Sequence, residues 1–144
     1  MLVEDASRAV PAVKQRGIRR VLVEFDGSTC GWASLRHAIA VAMRENALLT
    51  VAGVVEEPPC WFAMTPAALP YTRDSLRRDA EREVERQLAA ARDEVPATVS
   101  VTTQLLRGKP VQALAALAEE GGYDLVLAGP RSAGRLKRLL HAAT

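Results

Sequence analysis

Cysteine and histidine are scarce in this sequence, and their scarcity excludes several classes of protein. Each occurs twice among 144 residues. Two cysteines, Cys30 and Cys60, are too few for a disulfide-stabilised scaffold or for a zinc site built on several thiolates. The histidines, His37 and His141, form neither a His-x3-His nor a His-Glu-x2-His pattern. We therefore expect no metal site of these kinds.

Long apolar runs and a strong charge of one sign are also absent. Charged residues interrupt every apolar stretch well before the roughly 18 residues that a membrane span needs. A net charge of +2 beside 49% hydrophobic residues is typical of a folded domain and not of a disordered chain. Residues 1–15 lack the apolar core of a secretory signal. These features predict a cytoplasmic globular protein with neither a membrane nor a nucleic acid as partner.

The sequence does contain apolar runs that alternate with segments of helical spacing. Three apolar runs, at 19–25, 48–55 and 124–128, and one alternating run, at 99–105, predict four strands. In the stretches between them, apolar residues recur at helical spacing. The order strand, helix, strand, loop, helix, strand, helix, strand predicts an α/β fold with an open parallel sheet and helices on both faces.

Two segments fall outside this alternation. Residues 1–17 are predicted as an N-terminal leader or short helix, and the domain is then expected to span residues 18–144. Residues 56–72 hold four prolines and three of the six aromatic residues of the chain. Prolines at this density break regular structure, so this segment is predicted as a long loop that is either functional or poorly ordered.

The common catalytic and phosphate-binding motifs are missing. Gly108-Lys109 resembles the end of a P-loop, but Thr103 stands at the position of the first glycine and Pro110 at that of the final Ser or Thr. Ser28 has no G-x-S-x-G context, and capping of the following helix explains it better. We therefore expect a protein that is not an enzyme. Slow ATP hydrolysis, with Asp26 orienting Mg²⁺ or water, stays open as the alternative.

Two charged features follow predicted strands, where parallel sheets bind ligands. Asp26 follows the first strand and can either accept hydrogen bonds from a nucleoside or cap the next turn. From Gly129 onward no acidic residue occurs, and the basic ones are Arg131, Arg135, Lys137 and Arg138. A glycine turn that leads into a basic segment suits an anion such as phosphate. A solvated basic helix face is the alternative.

Three segments, in the right order, resemble the universal stress protein family. Residues 21–28 (VLVEFDGS) are similar to its first strand and following turn, Gly108 and Pro110 to its signature before the third helix, and residues 124–129 (DLVLAG) to its fourth strand. The resemblance implies a Rossmann-like fold similar to that of the adenine nucleotide alpha hydrolases. It also implies a regulatory or binding role in the stress response, with a nucleotide at the carboxyl ends of the strands.

ATP-binding members of that family carry G-x2-G-x9-G-[ST] after the fourth strand, where the phosphates are held. In this sequence the motif matches at Gly129, whereas its other positions fall on Ser132, Ala142 and Ala143. Family members also use the positions of Asp26 and Val54 near the adenine. The resemblance implies a site for ATP or AMP, with Mg²⁺ if bound. Its eight candidate residues are Asp26, Val54, Gly129, Arg131, Ser132, Ala142, Ala143 and Thr144.

Glu24 departs from the family pattern, which has a small residue or proline at this position. Side chains alternate along a strand, so Glu24 and Asp26 should point to the same face, near the expected phosphates. A buried unpaired carboxylate is costly, so Glu24 should either find a cation or be protonated. The candidate cations are Arg131, Arg135 and Lys109.

Two functions follow as hypotheses. The first is a regulatory binding domain of the stress response that holds an adenine nucleotide, ATP or AMP. The second is a nucleotide-independent module for homodimerisation or partner binding. The degenerate glycine motif favours it, as do the large apolar residues of the proline-rich segment, namely Trp61, Phe62, Met64 and Tyr71. We expect a homodimer in solution and a small-molecule nucleotide as ligand.

Compared with the family, this sequence is predicted to lack the last strand of the sheet. Family members continue into a fifth strand, whereas this sequence ends at Thr144, directly after the last motif position. We therefore predict a four-stranded sheet in which the strand at 124–129 forms an apolar edge, which soluble proteins normally cover. Residues 1–17, a partner chain or a tail beyond this sequence would have to provide that cover.

Overall fold

Parallel strands that alternate with helices make up the described part of the chain. The computed structural model describes residues 2–5, 17–56, 64, 66 and 73–142. The strands lie side by side in the order β1-β5-β2-β3-β4, and all neighbouring pairs are parallel. The elements are β1 (Leu2–Asp5), β2 (Arg20–Glu24), α1 (Thr29–Glu45), β3 (Leu48–Val55), α2 (Arg73–Glu94), β4 (Val101–Arg107), α3 (Pro110–Gly121), β5 (Leu125–Ala128) and α4 (Pro130–Ala142).

Helices cover both faces of this sheet, so the predicted α/β class with a parallel sheet is confirmed. α1 and α2 pack on one face, which receives Val21 and Val23 of β2. α3 and α4 pack on the other face, where Leu114 and Leu136 join Leu22 of the same strand. Because successive side chains of a strand point to opposite faces, β2 contributes to both cores and is buried on both sides.

The number of strands corrects the prediction of four. The additional strand is β1, which lies within the segment 1–17 that the sequence suggested as a leader. It pairs with β5 from Leu2 opposite Leu125 to Asp5 opposite Ala128. β5 is therefore an interior strand that is buried along its whole length, and not an exposed edge. Of the three covers considered for that edge, the N-terminal segment provides it.

Asp124 ties the amino ends of three neighbouring strands together. Its Oδ2 atom accepts hydrogen bonds from the backbone N–H groups of Arg19 at 2.8 Å and Arg20 at 3.1 Å, at the start of β2. Its carbonyl oxygen accepts the N–H of Leu2 in β1 at 2.9 Å. The neighbouring Tyr123 reaches further along the sheet, and its hydroxyl bonds the hydroxyl of Thr50 in β3 at 2.9 Å.

Local signals start α1 and α3 directly after the strands that precede them. The hydroxyl oxygen of Ser28 accepts the N–H of Gly31 at 3.0 Å and so caps α1. α1 ends at Asn46, which adopts a left-handed conformation with φ 53°. α3 begins with Pro110, whose missing N–H is not needed at the first helical position. The first turns of both helices therefore lie at the carboxyl edge of the sheet.

Some predictions fall outside the described residues. Of the proline-rich segment 56–72, the structure describes Glu56, Met64 and Pro66, so its Trp61, Phe62 and Tyr71 are not placed. The same holds for Ala143 and Thr144 at the end of the chain. None of the described helices is long and apolar enough to span a bilayer.

Candidate functional site

A cavity of about 820 Å³ opens at the carboxyl edge of the sheet. Its walls come from the ends of β2, β3 and β5, the first turns of α1, α3 and α4, and one side of α2. After β2 the chain proceeds to β3 and β4 on one side and then returns through α3 to β5 on the other. Such a reversal of strand order opens a crevice in which α/β proteins bind ligands. The volume is in the range of small-molecule sites, about 300–1,000 Å³.

The turn after β2 is organised by Asp26. Its Oδ1 atom accepts hydrogen bonds from the N–H of Ser28 at 3.0 Å and from the Ser28 hydroxyl at 2.5 Å. Gly27 between them has φ +77°, a conformation that residues with a side chain rarely adopt. Ser28 in turn caps α1 through the N–H of Gly31. Asp26 therefore acts on the turn that follows it, which is one of its two predicted roles.

The nucleoside role of Asp26 is compatible with this geometry. Asp26 is exposed and lines the cavity. Among the described residues both of its hydrogen bonds end on Oδ1, so Oδ2 retains its full capacity to accept donors. The first helical turn also leaves space for the carboxylate, because a Cβ atom on Gly31 would lie 2.5 Å from Oδ1.

Glu24 reaches across the crevice to the start of α4. Its Oε2 atom accepts the backbone N–H of Gly129 at 3.4 Å, and its Oε1 atom accepts the hydroxyl of Ser132 at 3.3 Å. Burial raises the pKa of the Glu24 carboxyl, and the carboxylates of Asp26 and Glu56 raise it further, while the two hydrogen bonds oppose the shift. The side chain is half-buried at the last position of β2.

The partners of Glu24 differ from the cations that the sequence suggested. Within the described part of the chain, Glu24 forms no ion pair with Arg131, Arg135 or Lys109. Two uncharged donors hold its carboxyl instead. The raised pKa agrees with the other expectation, that of a carboxyl which takes up a proton more readily than an exposed one.

The segment after Gly129 forms a helix where the resemblance implied a phosphate-holding loop. α4 begins directly with Pro130 and runs without interruption to Ala142. Gly129 and Ser132 lie at its start and line the cavity together with Arg131. Ala142 lies at the opposite end, about 18 Å further along a helix that rises 1.5 Å per residue. Within the described residues, the helix therefore separates Ala142 from Gly129 and Ser132.

The basic residues after Gly129 all lie on α4. Arg131, Arg135, Lys137 and Arg138 are all exposed on α4. Arg131 and Arg135 nevertheless lie on the side of the helix that borders the cavity, at the spacing of one helical turn. These two guanidinium groups are placed to meet an anionic group of a ligand.

One wall of the cavity is apolar. Val54 and Val55 at the end of β3 line it together with Val84 on α2 and Val111 on α3. Val54, for which the resemblance implies a place near an adenine, is thus a lining residue of the cavity. The neighbouring Gly53 allows the close approach of α2, because a Cβ atom there would lie 2.6 Å from Cγ1 of Val84.

The charged lining of the cavity is acidic on balance. Four carboxylates border it, from Glu24, Asp26, Glu56 and Glu83, against the two guanidinium groups on α4. The formal balance is −2 if all six groups are ionised. Such a lining disfavours a ligand with many negative charges. Within residues 2–5, 17–56 and 73–142, no three His, Cys, Asp or Glu side chains are arranged to hold a metal ion.

Ser34 on α1 is a polar cavity residue that the sequence reasoning missed. Its side chain is 1% exposed, and its hydroxyl has no hydrogen-bond partner among the described residues. The sequence did indicate its burial, because Ser34 lies at helical spacing from Ala38 and Val41, and the three share the buried stripe of α1. A buried hydroxyl without a partner is costly.

The match to a known family accounts for this arrangement of fold and site. The profile of the universal stress protein family matches residues 17–143. The chain belongs to the universal stress protein family. This confirms the resemblance noted from the first strand, its following turn and the fourth strand. No curated protein matches the chain.

Solved structures of universal stress proteins share the fold. One, from Burkholderia pseudomallei, is 26% identical with a TM-score of 0.70, covering 87% of this chain and 90% of that one. A universal stress protein in complex with cAMP is 26% identical with a TM-score of 0.57, covering 76% and 74%. A third, from Lactobacillus plantarum, is 22% identical with a TM-score of 0.59, covering 80% and 78%, and supports the fold alone.

Proposed function

We propose that this universal stress protein is a non-catalytic regulatory domain that binds an adenine nucleotide in the cavity at the carboxyl edge of its sheet. The observation that carries the proposal is the convergence of Asp26, Val54, Gly129, Arg131 and Ser132 on one cavity at the reversal of strand order. The cAMP complex of a 26% identical family member supports the choice of ligand class.

Each part of such a ligand finds a matching group. An adenine ring fits the apolar wall beside Val54, because flat aromatic rings gain most from apolar burial. A ribose hydroxyl can donate to Oδ2 of Asp26, which accepts no hydrogen bond from the described residues. The guanidinium groups of Arg131 and Arg135 are available to a phosphate.

Titration calorimetry with AMP, cAMP and ATP, each with and without Mg²⁺, tests this function. We expect measurable binding that weakens in Asp26→Asn, since the amide keeps an oxygen for Ser28 but replaces the second oxygen with a donor. Asp93→Asn is the matched control, because Asp93 is an exposed aspartate at the far end of α2. Neither heat nor a thermal shift at millimolar nucleotide would contradict the proposal.

Catalysis is not part of the proposed function. The hydroxyl of Ser28 bonds a carboxylate and caps α1, and no described histidine borders the cavity to act as its base. The alternative is slow ATP hydrolysis that depends on Asp26. A hydrolysis rate at background level and equal in the wild type and Asp26→Ala is the expected result. A rate that Asp26→Ala abolishes would instead assign a catalytic role.

Homodimerisation is the second candidate function, and the position of β1 favours it. β1 is an edge strand, and in the described part of the chain its outer side pairs with no other strand. An exposed strand edge is a template for pairing with a second chain. Light scattering over a wide concentration range tests this. A protein that stays monomeric in dilute and concentrated samples would count against it.

A further inference from the structure

Glu24 takes two of the hydrogen-bond donors that an anionic ligand could use at the start of α4. Its two carboxylate oxygens accept the N–H of Gly129 and the hydroxyl of Ser132. The next residue, Pro130, has no N–H. The N–H groups of Ser132 and Ala133 are turned back onto the carbonyl of Gly129, both at 3.0 Å. A carboxylate of the protein thus occupies a position suited to an anion of the ligand.

We infer that Glu24 sets the specificity of the cavity, admitting ligands with at most one phosphate group and excluding nucleoside di- and triphosphates. The inference rests on the proposed function, since it defines which adenine nucleotides the cavity accepts. It is carried by the location of Glu24 inside the 820 Å³ cavity and by the two donors that its carboxylate takes.

The carboxylates around Glu24 also disfavour ligands with several phosphate groups. Asp26 and Glu56 are close enough to Glu24 to interact with its charge, whereas Glu83 in the same lining is paired with Arg86. A chain of phosphates in the cavity would meet these groups in a medium of lower dielectric constant than water, where repulsion is strong. The guanidinium groups of Arg131 and Arg135 can offset one phosphate but not three.

Ligand selectivity in Glu24 variants tests the inference. The quantity to measure is the ratio of the affinity for ATP to that for adenosine, in excess EDTA so that Mg²⁺ does not mask phosphate charge. In Glu24→Ala, which frees both donors, we expect this ratio to rise roughly tenfold or more. In Glu24→Gln, which keeps the shape but removes the charge, we expect a rise of about fivefold.

Glu56→Gln is the matched control. It removes one carboxylate from the same cavity but frees neither the N–H of Gly129 nor the hydroxyl of Ser132. We expect its affinity ratio to change less than about twofold. A rise as large as that in Glu24→Ala would overturn the inference, because it would assign the selectivity to total charge. A folded Glu24→Ala and a folded Glu24→Gln without any rise would overturn it as well.

Inorganic pyrophosphate separates this inference from the proposed function. It lacks the adenosine part, so its binding tests the freed donors alone. We expect it to raise the melting temperature of Glu24→Ala but not that of the wild type. That result together with no adenosine binding would refute the nucleotide function and keep the role of Glu24. Adenosine binding without an effect of pyrophosphate on either protein would refute the role of Glu24 and keep the function.

Discussion

The Cβ atom that Gly31 lacks would lie 2.5 Å from Oδ1 of Asp26. A methyl group cannot approach an oxygen so closely, so a larger residue would push the carboxylate away from its two bonds to Ser28. Those bonds hold the turn that opens α1 and borders the cavity. The glycine is therefore required by the position of Asp26 and not by the helix, in which glycine is unfavourable.

Gly31→Ala is expected to lower the free energy of unfolding by about 1–3 kcal/mol, although alanine is the better helix former. Gly134→Ala in α4 is the control, because its Cβ atom would meet nothing within 4 Å. There we expect a gain of about 0.5–1 kcal/mol. Urea unfolding of both variants measures the difference. A stabilised Gly31→Ala would contradict the close contact.

The hydroxyl pair of Tyr123 and Thr50 gives a second prediction. Tyr123 is 4% exposed, Thr50 is 5% exposed, and their oxygens are 2.9 Å apart. Tyr123→Phe leaves the Thr50 hydroxyl buried without this partner and should cost about 1–3 kcal/mol. In a Thr50→Val background the same substitution should cost clearly less, because that hydroxyl is gone. Equal costs in both backgrounds, measured by urea unfolding, would show that the bond contributes nothing.

The sequence predicts β2, β3, β4 and β5 because each carries enough apolar or alternating residues to define a period. β1 has four residues, and two of them, Glu4 and Asp5, are acidic. Nothing local marks such a segment as a strand. What places it is the open side of β5, whose residues it pairs with, and the carbonyl of Asp124 directly before β5, which accepts the N–H of Leu2. That information is in the tertiary structure and not in the segment itself.

The residues of the candidate site that lie at strand ends could be predicted from the sequence. The contacts that arise from packing or from backbone groups could not. Asp26, Val54 and Gly129 follow from their places at the carboxyl ends of strands, and the structure brings them to one cavity. The partners of Glu24 could not be found by pairing charges, because one is a backbone N–H and the other a hydroxyl. Backbone donors have no signature in the residue types.

Because β1 covers β5, substitutions at two adjacent residues of β1, Val3 and Glu4, should differ in their effect on stability. Val3 is 6% exposed in the core beside α4, whereas Glu4 is only partly buried. Val3→Ala should lower the free energy of unfolding by about 1–3 kcal/mol. Glu4→Ala should change it by less than about 0.5 kcal/mol. Similar effects of the two substitutions in urea unfolding would contradict the packing of β1 on the sheet.

Deletion of residues 1–5 removes β1 and tests its cover of β5 through the self-association of the truncated protein. It would expose the backbone edge of β5, whose four residues, Leu125–Ala128, are buried in the intact chain. We expect the truncated protein to associate with increasing concentration, because an apolar strand edge pairs readily with another chain. Sedimentation of the truncated and intact chains at matched concentrations measures this. A truncated chain that remains as dispersed and as stable as the intact one would refute the cover.

The pH dependence of stability tests the environment of Glu24. Burial raises its pKa in the folded protein, so the folded state holds its proton at a pH at which the unfolded state has released it. Its contribution to stability is therefore fully present below the ordinary glutamate pKa of about 4.3 and is lost as the pH rises through the raised value. A glutamine side chain does not titrate, so Glu24→Gln lacks this loss of stability at higher pH. Its stability relative to the wild type should increase between pH 3.5 and pH 7.

Glu83→Gln provides a control of opposite sign. The hydrogen bond from Arg86 lowers the pKa of the Glu83 carboxyl, so its contribution is present above the ordinary glutamate pKa and is lost as the pH falls through the lowered value. The stability of Glu83→Gln relative to the wild type should therefore decrease from pH 3.5 to pH 7, by a small amount for so exposed a pair. Urea unfolding of the three proteins at several pH values between these limits measures both slopes. Slopes of the same sign would mean that Glu24 is not held as a buried carboxyl at the start of α4.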